Sequence, residues 1–256
     1  MLQQTQAARV VPAFERFVAS FPSVRALAAA TAADVLRAWD GLGYNRRAIA
    51  LSRTAREIVA RHAGRVPRDA AALRALPGVG PYTADAVAAI AFGEPVVAAD
   101  VNVLRVAARA LLGADPSEVP RAAVVEAANG WLDESDPGAW NQALMDLGRD
   151  VCRPLPRCET CPIAASCAFV RVGPRARDGR ATGPVAARQR AREPFEGSMR
   201  QVRGAVVRAL RRRSPMAIPS LARETGQPEG RVREAVRALH REGLVVTGGG
   251  RVALPN

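Results

Sequence analysis

The chain has 256 residues, which is enough for one large domain or two small ones. Hydrophobic residues make up 48% of it and aromatic residues only 4%, so Ala, Val and Leu must fill most of the core. No apolar stretch is long enough to cross a bilayer, and no charged-then-apolar leader precedes a cleavage site. We therefore exclude membrane-spanning and secreted classes and expect a cytoplasmic protein.

The charge is strongly positive and unevenly distributed. All 37 basic residues are Arg, and the formal net charge is +13. A GC-rich genome would account for the abundance of Arg and Ala. Residues 1–170 contain 18 Arg and 17 acidic residues, a net charge of +1, whereas residues 171–256 contain 19 Arg and 7 acidic residues, a net charge of +12. This asymmetry predicts a polyanionic partner, with nucleic acid as the first candidate.

The first part of the chain, residues 1–112, is predicted to form short helices joined by tight turns. VRALAAATAADVLRAW and AIALSRTAREIVARHAG carry apolar residues at helical spacing, and no run of alternating strands is present. The segment LPGVGP interrupts this pattern before TADAVAAIAF resumes it, as expected for a glycine turn followed by Pro in a first helical turn. Further helices are predicted over residues 101–112 and 119–132.

The C-terminal third of the chain contains two segments that differ in composition from each other and from the residues before them. Residues 171–194 contain seven Arg with scattered Gly and Pro, which indicates a linker that is either a solvated tether or a basic strap on DNA phosphates. Residues 195–256 then show a basic amphipathic helix, a helix-turn-helix pattern and two short strands about a glycine turn. This order predicts a winged-helix-like module. A protein-interaction module of the same shape is the alternative, and the Arg-rich surface favours DNA.

The four cysteines form a C-x5-C-x2-C-x5-C array: Cys152, Cys158, Cys161 and Cys167. A reducing cytoplasm disfavours disulfides. A zinc ribbon usually has two separated C-x2-C pairs, and only one such pair is present. Four thiolates close together around one compact body favour a [4Fe–4S] cluster, with a zinc ion as the alternative.

Two further segments have a chemical use. The backbone N–H groups of LPGVG can hold a phosphate without reading sequence. About twenty residues later, Asp100 stands before a helix that begins near Val101. An Asp at this position commonly serves only as an N-cap. The same geometry also lets an ionised carboxylate stabilise an oxocarbenium-like sugar cation.

Together, LPGVGPYTADAV, AADVNVLRV and the cysteine array resemble the helix-hairpin-helix DNA glycosylases of the endonuclease III superfamily. MLQQTQ, GLGYNRRA and WNQALMDLG are similar to the MutY-type adenine DNA glycosylases within it. The resemblance runs from Met1 to about Cys167. It implies an all-α fold with a helical barrel domain and an iron–sulfur cluster domain, to which the winged-helix-like module is added.

The expected domains follow from this resemblance. They are a helical domain with the helix-hairpin-helix at 1–98, an iron–sulfur cluster domain at 99–170, the basic linker at 171–194 and the winged-helix-like module at 195–256. The resemblance implies a monomeric, nucleoid-associated repair enzyme that binds double-stranded DNA. Its reaction would be hydrolysis of the N-glycosidic bond of adenine mispaired with 8-oxoguanine or guanine, after the adenine is flipped into a pocket.

Residue roles are carried over only where the motifs match. Asp100 matches the Asp that stabilises the sugar cation, and Asn102 lies beside it in the D-x-N motif. Gln3 and Gln4 would fall on the helix that wedges into the duplex. Tyr44 would intercalate beside the base opposite adenine. Without the resemblance, the two glutamines are an ordinary polar helix start and Tyr44 is a half-buried core ring.

The hairpin residues Leu76, Gly78, Val79 and Gly80 would bind the DNA backbone, and Tyr82 follows them directly. In relatives that cut the strand, a Lys at the position of Tyr82 forms a Schiff base with the sugar. The chain contains no Lys at all. We therefore expect a monofunctional enzyme that releases the base and leaves the strand intact.

The chain departs from the family pattern in three places. In MutY-type enzymes the general-acid Glu stands two residues before the Met that matches Met1, so we expect the activity of this chain to be impaired by about 10²–10⁴-fold. A start codon assigned too far downstream is the favoured explanation, and a genuine truncation with little activity is the alternative. The first cysteine gap is one residue shorter than the family's C-x6-C, which leaves the cluster open to test. Residues 195–256 also replace the Nudix-like domain that often recognises 8-oxoguanine.

Two alternatives remain open at this point. A thymine or uracil glycosylase acting on G mismatches shares the hairpin, the Asp, the cluster and a Tyr at position 82, but LQQTQ argues against it. A non-catalytic DNA-binding protein would fit the missing Glu and the C-terminal module, but Asp100, Asn102 and Tyr82 argue against it.

Overall fold

The structure, a computed structural model, describes residues 1–2, 5, 7–172 and 195–256. Gln3, Gln4 and nearly all of the 171–194 linker therefore lie outside the described residues. The chain forms two compact units. We call Met1–Val66, Leu76–Gly78 and residues 195–256 the first unit, and Pro67–Ala75 with residues 79–172 the second unit.

Helices dominate the described residues, as the all-α prediction requires, and a cap or a glycine marks many of their ends. The helices are α1 (Ala7–Ser20), α2 (Val24–Ala29), α3 (Ala32–Ala38), α4 (Arg46–Arg61), α5 (Ala70–Arg74), α6 (Pro81–Phe92), α7 (Val101–Leu112), α8 (Arg121–Asn129), α9 (Pro137–Asp150), α10 (Ala168–Val172), α11 (Met199–Arg212), α12 (Ile218–Thr225) and α13 (Glu229–Arg241), with a 3-10 turn at Cys158–Thr160. No helix among these residues is both long and apolar enough to cross a membrane.

The described strands all lie in the C-terminal part of the first unit. They are β1 (Met216–Ala217), β2 (Val246–Gly248) and β3 (Arg251–Ala253), and they form an antiparallel sheet in the order β1-β3-β2. Val252 of β3 lies opposite both Met216 and Thr247. We call residues 195–256 the C-terminal module. Its order of helix, helix-turn-helix and hairpin is the order predicted from the sequence.

The first unit has one continuous core that includes the C-terminal module. Leu36 and Trp39 belong to the same buried cluster as Val206 and Leu210 of α11. At the rim of this cluster, the backbone N–H of Ala33 donates to the carbonyl oxygen of Pro255 at 2.8 Å. The first unit therefore combines most of the helical region expected at 1–98 with the C-terminal module, because the module shares its core with α1–α4.

In the second unit, α8, α9 and α10 pack against α7, and α6 packs against α9. Its core consists mainly of Ala, Val and Leu, as the composition predicted; Val103, Val106, Val124 and Leu144 are among its buried residues. The helices also approach each other closely where residues are small. A Cβ on Gly138 of α9 would stand 3.3 Å from the carbonyl oxygen of Ala89 in α6. This close packing holds α9 against α6.

Candidate active site

The hairpin between α5 and α6 is shaped by one glycine. Gly78 has φ +76°, and a Cβ at this position would stand 2.6 Å from the Cβ of Ala50. No L side chain fits this contact without a shift. The turn is further fixed by the Thr54 hydroxyl, which donates to the carbonyl oxygen of Pro77 at 2.6 Å. The sequence-predicted tight turn is thus present.

The hairpin presents backbone rather than side chains. The side chain of Leu76 is only 3% exposed, so it anchors the turn from inside. In the described part of the chain, the N–H groups of Gly78, Val79 and Gly80 donate to no protein acceptor. Pro81 occupies the first turn of α6, where its missing N–H costs nothing. Free N–H groups at a helix start suit an anion.

Asp100 caps the N-terminus of α7. Its Oδ1 accepts hydrogen bonds from the backbone N–H groups of Asn102 at 2.8 Å and Val103 at 2.7 Å. Its Oδ2 accepts from the side-chain Nδ2 of Asn102 at 3.0 Å. The two residues of the predicted D-x-N motif therefore contact each other directly. Three N–H donors and the helix N-terminus stabilise negative charge on this carboxylate.

The segment that leads into Asp100 is irregular, and one buried amide holds it. Asn141 of α9 is fully buried and accepts from the N–H of Ala98 at 2.8 Å. Its Nδ2 donates to the carbonyl oxygens of Val96 at 3.0 Å and Pro137 at 2.8 Å. Because the amide satisfies the backbone of 96–98 from inside the unit, Asp100 is held at a fixed position.

Arg105 connects Asn102 to the residues before the cysteine array. Its Nη2 donates to the Oδ1 of Asn102 at 2.7 Å and to the carbonyl oxygen of Gly148 at 2.6 Å. Its Nε donates to the carbonyl oxygen of Cys152 at 2.6 Å. The residue is 8% exposed, so these contacts are shielded from water. The planar guanidinium suits a site with several acceptors in fixed directions.

Tyr82 lies in the first turn of α6, close enough to Asp100 for their charges to interact. Its hydroxyl donates to the Sδ of Met145 at 3.6 Å. Burial raises the pKa of Tyr82, and the negative charge of Asp100 raises it further. The hydroxyl is therefore neutral over the range in which DNA is handled. All three predicted residues lie in the second unit, where Asp100 and Asn102 contact each other and Tyr82 contacts Met145.

Tyr44 lies in the first unit, on the turn between α3 and α4. Its side chain is 60% exposed, so it is not the half-buried core ring that its sequence alone suggested. Its backbone has φ +45°, an uncommon conformation for a residue other than glycine. The turn is held from inside, because Trp39 Nε1 donates to the carbonyl oxygen of Gly43 at 3.0 Å. Arg47 lies over the Tyr44 ring at 5.4 Å.

The four cysteines line one cavity of the second unit, together with Arg109 and Phe169. Cys152 follows α9, Cys158 begins the 3-10 turn, Cys161 directly follows it, and Cys167 precedes α10. Burial raises the pKa of the Cys152 and Cys158 thiols. A bound metal would reverse this effect, because a coordinating thiol is deprotonated.

Arg109 is a charged residue that lines this cavity. Among the described residues, no three His, Cys, Asp or Glu side chains stand close enough to hold one ion. Ligands of a single zinc must all lie within about 2.3 Å of it, whereas the ligands of a multi-atom cluster stand further apart. Arg109 points its Nη1 at Cys152 Sγ at 3.7 Å, and its buried Nε has no protein partner. Arg109 thus brings positive charge next to Cys152.

The sequence did not single out three residues that shape the site: Arg105, Asn141 and Gly148. Their partners lie 43 to 47 positions away, apart from local bonds within the helices. One signal was available, since Arg105 and Arg109 interrupt the apolar face of α7 at a four-residue interval. Charged residues are rarely buried unless they have partners, so this interval indicates buried acceptors.

Comparisons with known proteins agree on the family. Residues 1–127 match the HhH-GPD superfamily of base excision DNA repair proteins. The adenine DNA glycosylase of Mycobacterium tuberculosis H37Rv is 42% identical over 215 residues, which cover 82% of this chain and 67% of that protein. The enzyme of Mycolicibacterium smegmatis is 41% identical over 213 residues, covering 82% and 69%. The rat adenine DNA glycosylase is 43% identical over 178 residues, and the chain spans about a third of its length.

Solved structures agree with the fold. A thermostable thymine-DNA glycosylase superposes with a TM-score of 0.61 at 28% identity, covering 67% of this chain and 81% of that one. An endonuclease III trapped on DNA gives a TM-score of 0.56 at 24% identity. The helix-hairpin-helix glycosylase fold expected from the sequence is thereby confirmed. With its two mycobacterial relatives matched over two thirds of their length, the chain belongs to the adenine DNA glycosylases of the helix-hairpin-helix base excision repair superfamily.

Proposed function

We propose that this chain is the glycosylase part of a base excision repair enzyme that hydrolyses the N-glycosidic bond of adenine mispaired with 8-oxoguanine or guanine. The observation that carries the proposal is the Asp100–Asn102 pair at the N-terminus of α7. A carboxylate held there can stabilise positive charge as it develops on the sugar. The names of the relatives support adenine as the base.

Asp100 and Tyr82 have different roles in this proposal. Asp100 stabilises the sugar cation while adenine departs and water adds. Tyr82 stays protonated beside it and lines the pocket, because burial and Asp100 both raise its pKa. No Lys can form a Schiff base with the sugar, since the chain contains none. The reaction therefore ends at base release and leaves the strand intact.

The duplex is held by two surfaces in the same proposal. The free N–H groups of Gly78, Val79 and Gly80 bind a phosphate, which fixes the protein on the backbone without reading sequence. The exposed ring of Tyr44 inserts beside the base opposite adenine. Gln3 and Gln4 are proposed to enter the duplex as well. The protein acts as a monomer on nucleoid DNA in the cytoplasm.

A [4Fe–4S] cluster is proposed at Cys152, Cys158, Cys161 and Cys167. The shared cavity, the all-thiol donor set and the unpaired Nε of Arg109 support it. The cluster would supply a rigid, electron-rich body that ties the loop of residues 152–167 together. The arginines around it keep that loop attached to α7. We assign it no step in base hydrolysis.

The decisive experiment is single-turnover base release from duplexes that carry A, T or U opposite G or 8-oxoguanine. The 256-residue chain is compared with a version extended upstream through the family's general-acid Glu. We expect adenine release, faster in the extended protein, and strand breaks only after alkali. Equal rates of adenine release by both versions would show that this Glu is not needed as a general acid.

The same assay decides between the remaining functions. Release of T or U by both versions would replace the proposal with a mismatch thymine or uracil glycosylase, the activity named for one structural neighbour. Tight binding of mismatched duplex with every base still attached would leave a DNA-binding protein. Direct strand cleavage without alkali would contradict the monofunctional assignment.

A further inference from the structure

The C-terminal module reaches the turn that presents Tyr44. Arg211, near the end of α11, donates from Nη2 to the Oδ1 of Asn45 at 2.8 Å. Its Nη1 donates to the carboxylate of Asp40 and forms an ion pair with it. We call residues 40–45 the Tyr44 turn. One guanidinium therefore holds both ends of this turn from a helix about 170 residues further along the chain.

Arg211 makes this contact from a largely buried position, whereas the Asp40 side chain is 66% exposed. The side chain of Arg211 is only 12% exposed, although its neighbours Arg208 and Arg212 on the same helix are exposed. A guanidinium is costly to bury unless it finds acceptors in fixed directions. Asp40 and Asn45 supply those acceptors. Arg211 therefore differs from a solvated surface arginine, which would contribute to DNA binding through its charge alone.

The side chain of Asn45 contacts the C-terminal module instead of capping its own helix. It is the N-cap residue of α4, yet its side chain makes no capping hydrogen bond. An Asn at this position ordinarily accepts from the N–H groups of its own helix. Here its Oδ1 accepts from Arg211 instead. The start of α4 is thus fixed by the C-terminal module rather than by its own cap.

The residue between these two anchors is the strained one. Tyr44 has φ +45° with its ring exposed, and such a conformation persists only when its surroundings determine it. Asp40 precedes it by four residues, and Asn45 follows it directly. An exposed ring held in one conformation loses little freedom when it enters a duplex, so the anchors lower the cost of binding.

We propose that the C-terminal module is a positioning element for DNA recognition, in which Arg211 holds the Tyr44 turn in the conformation that inserts into the duplex. This inference rests on the proposed function, because it takes Tyr44 as the inserted residue. It gives the module a role that is separate from any phosphate contact of its own. Arg211 is a positioning residue, since it acts through Tyr44.

The test compares Arg211→Gln with Arg208→Gln. Both variants lose one positive charge from α11, so a purely electrostatic effect on DNA binding must be the same in each. Binding is measured on a duplex with adenine opposite G and 2-aminopurine in the adjacent pair, because unstacking by an inserted ring raises its fluorescence. Asn45→Ala is a second variant, which removes the acceptor of Arg211 Nη2 while Arg211 keeps its charge and its ion pair with Asp40. Thermal unfolding shows that each variant is folded.

We expect Arg211→Gln and Asn45→Ala each to weaken mismatch binding by about tenfold, the worth of a hydrogen bond to a charged group, and to lose most of the 2-aminopurine signal. Arg208→Gln should keep that signal. In a Tyr44→Ala background, Arg211→Gln should cost no further affinity, because two residues that act as one unit are not additive. Equal effects of Arg211→Gln and Arg208→Gln, or full additivity with Tyr44→Ala, would overturn the inference.

Failure of the proposed function gives a different result. If Tyr44→Ala leaves both affinity and fluorescence unchanged, then Tyr44 is not inserted and the proposed DNA contact fails, which also overturns the inference. If Tyr44→Ala abolishes the signal while Arg211→Gln and Asn45→Ala preserve it in folded proteins, the proposed contact stands and only the positioning role of Arg211 is wrong.

Discussion

Gly148 of α9 lies so close to Asn102 of α7 that a Cβ on the glycine would stand 2.7 Å from the Cβ of Asn102 and 3.0 Å from its Cα. Backbone on both helices blocks any easy shift. Asn102 in turn donates to Asp100. The position of the candidate catalytic pair therefore depends on a residue without a side chain on another helix.

Gly148→Ala is expected to destabilise the fold by about 1–3 kcal/mol, the range found for overpacked cores. Gly204→Ala in α11 is the matched control, because nothing lies within 4 Å of a Cβ there. It should instead stabilise its helix by about 0.5–1 kcal/mol. Urea denaturation measures both. A neutral or stabilising Gly148→Ala would show that α7 and α9 can move apart at no cost.

Arg105→Gln is expected to lower stability by about 2–4 kcal/mol, because it leaves buried carbonyl oxygens of Gly148 and Cys152 without a donor. Arg105→Lys should rescue little, since one ammonium cannot reach acceptors in three directions. Arg149→Gln, at an exposed residue of α9, is the control and should change stability little. Base release should fall more than mismatch binding. If Arg105→Lys were as stable as the unmodified protein, Arg105 would contribute only its positive charge.

The features that the sequence predicted are local in origin. The glycine hairpin and the cap at Asp100 come from residues within a few positions of each other, so the pattern could indicate both. Arg105, Asn141 and Gly148 could not be found in this way, because their roles depend on helices that meet only in the folded unit. The sharing of one core by residues 195–256 and α1–α4 has the same long-range origin.

Tyr82 should titrate above its ordinary pKa of about 10. In a Tyr44→Phe variant it is the sole tyrosine, so ultraviolet absorbance follows it alone. A pKa raised by folding means that the protonated form is favoured in the folded state. Its contribution to stability is therefore complete below pH 10 and is lost as the pH rises through the folded pKa. The same variant unfolded in urea should titrate at about 10. Tyr82 is 37% exposed, so equal midpoints would contradict its partial desolvation and the effect of Asp100 on its pKa.

The purified chain is expected to contain four iron and four sulfide atoms, as the cluster formula requires. Cys161→Ser should lower the iron content strongly and also lower the unfolding temperature, because the 152–167 loop would lose its central tie. Ser166→Ala, at an exposed residue of the same loop, is the control and should retain iron. Metal analysis of each purified variant measures its iron and zinc content. One zinc per chain would replace the cluster with the alternative that the cysteine spacing left open.

Asp100→Asn separates the two uses of this side chain. An Asn keeps one oxygen for the backbone N–H groups of Asn102 and Val103, so the cap of α7 should remain and the protein should stay folded. Only the hydrogen bond from Asn102 Nδ2 is lost. The Asn carries no negative charge, so it cannot stabilise the sugar cation, and base release should fall by about 10²–10³-fold or more. Asp69→Asn is the matched control, because Asp69 caps α5 with hydrogen bonds from Ala71 and Ala72 and loses the same charge. Single-turnover release, measured in whichever version of the chain frees adenine, should be unchanged in Asp69→Asn. Equal losses in the two variants would mean that Asp100 does no more than cap its helix.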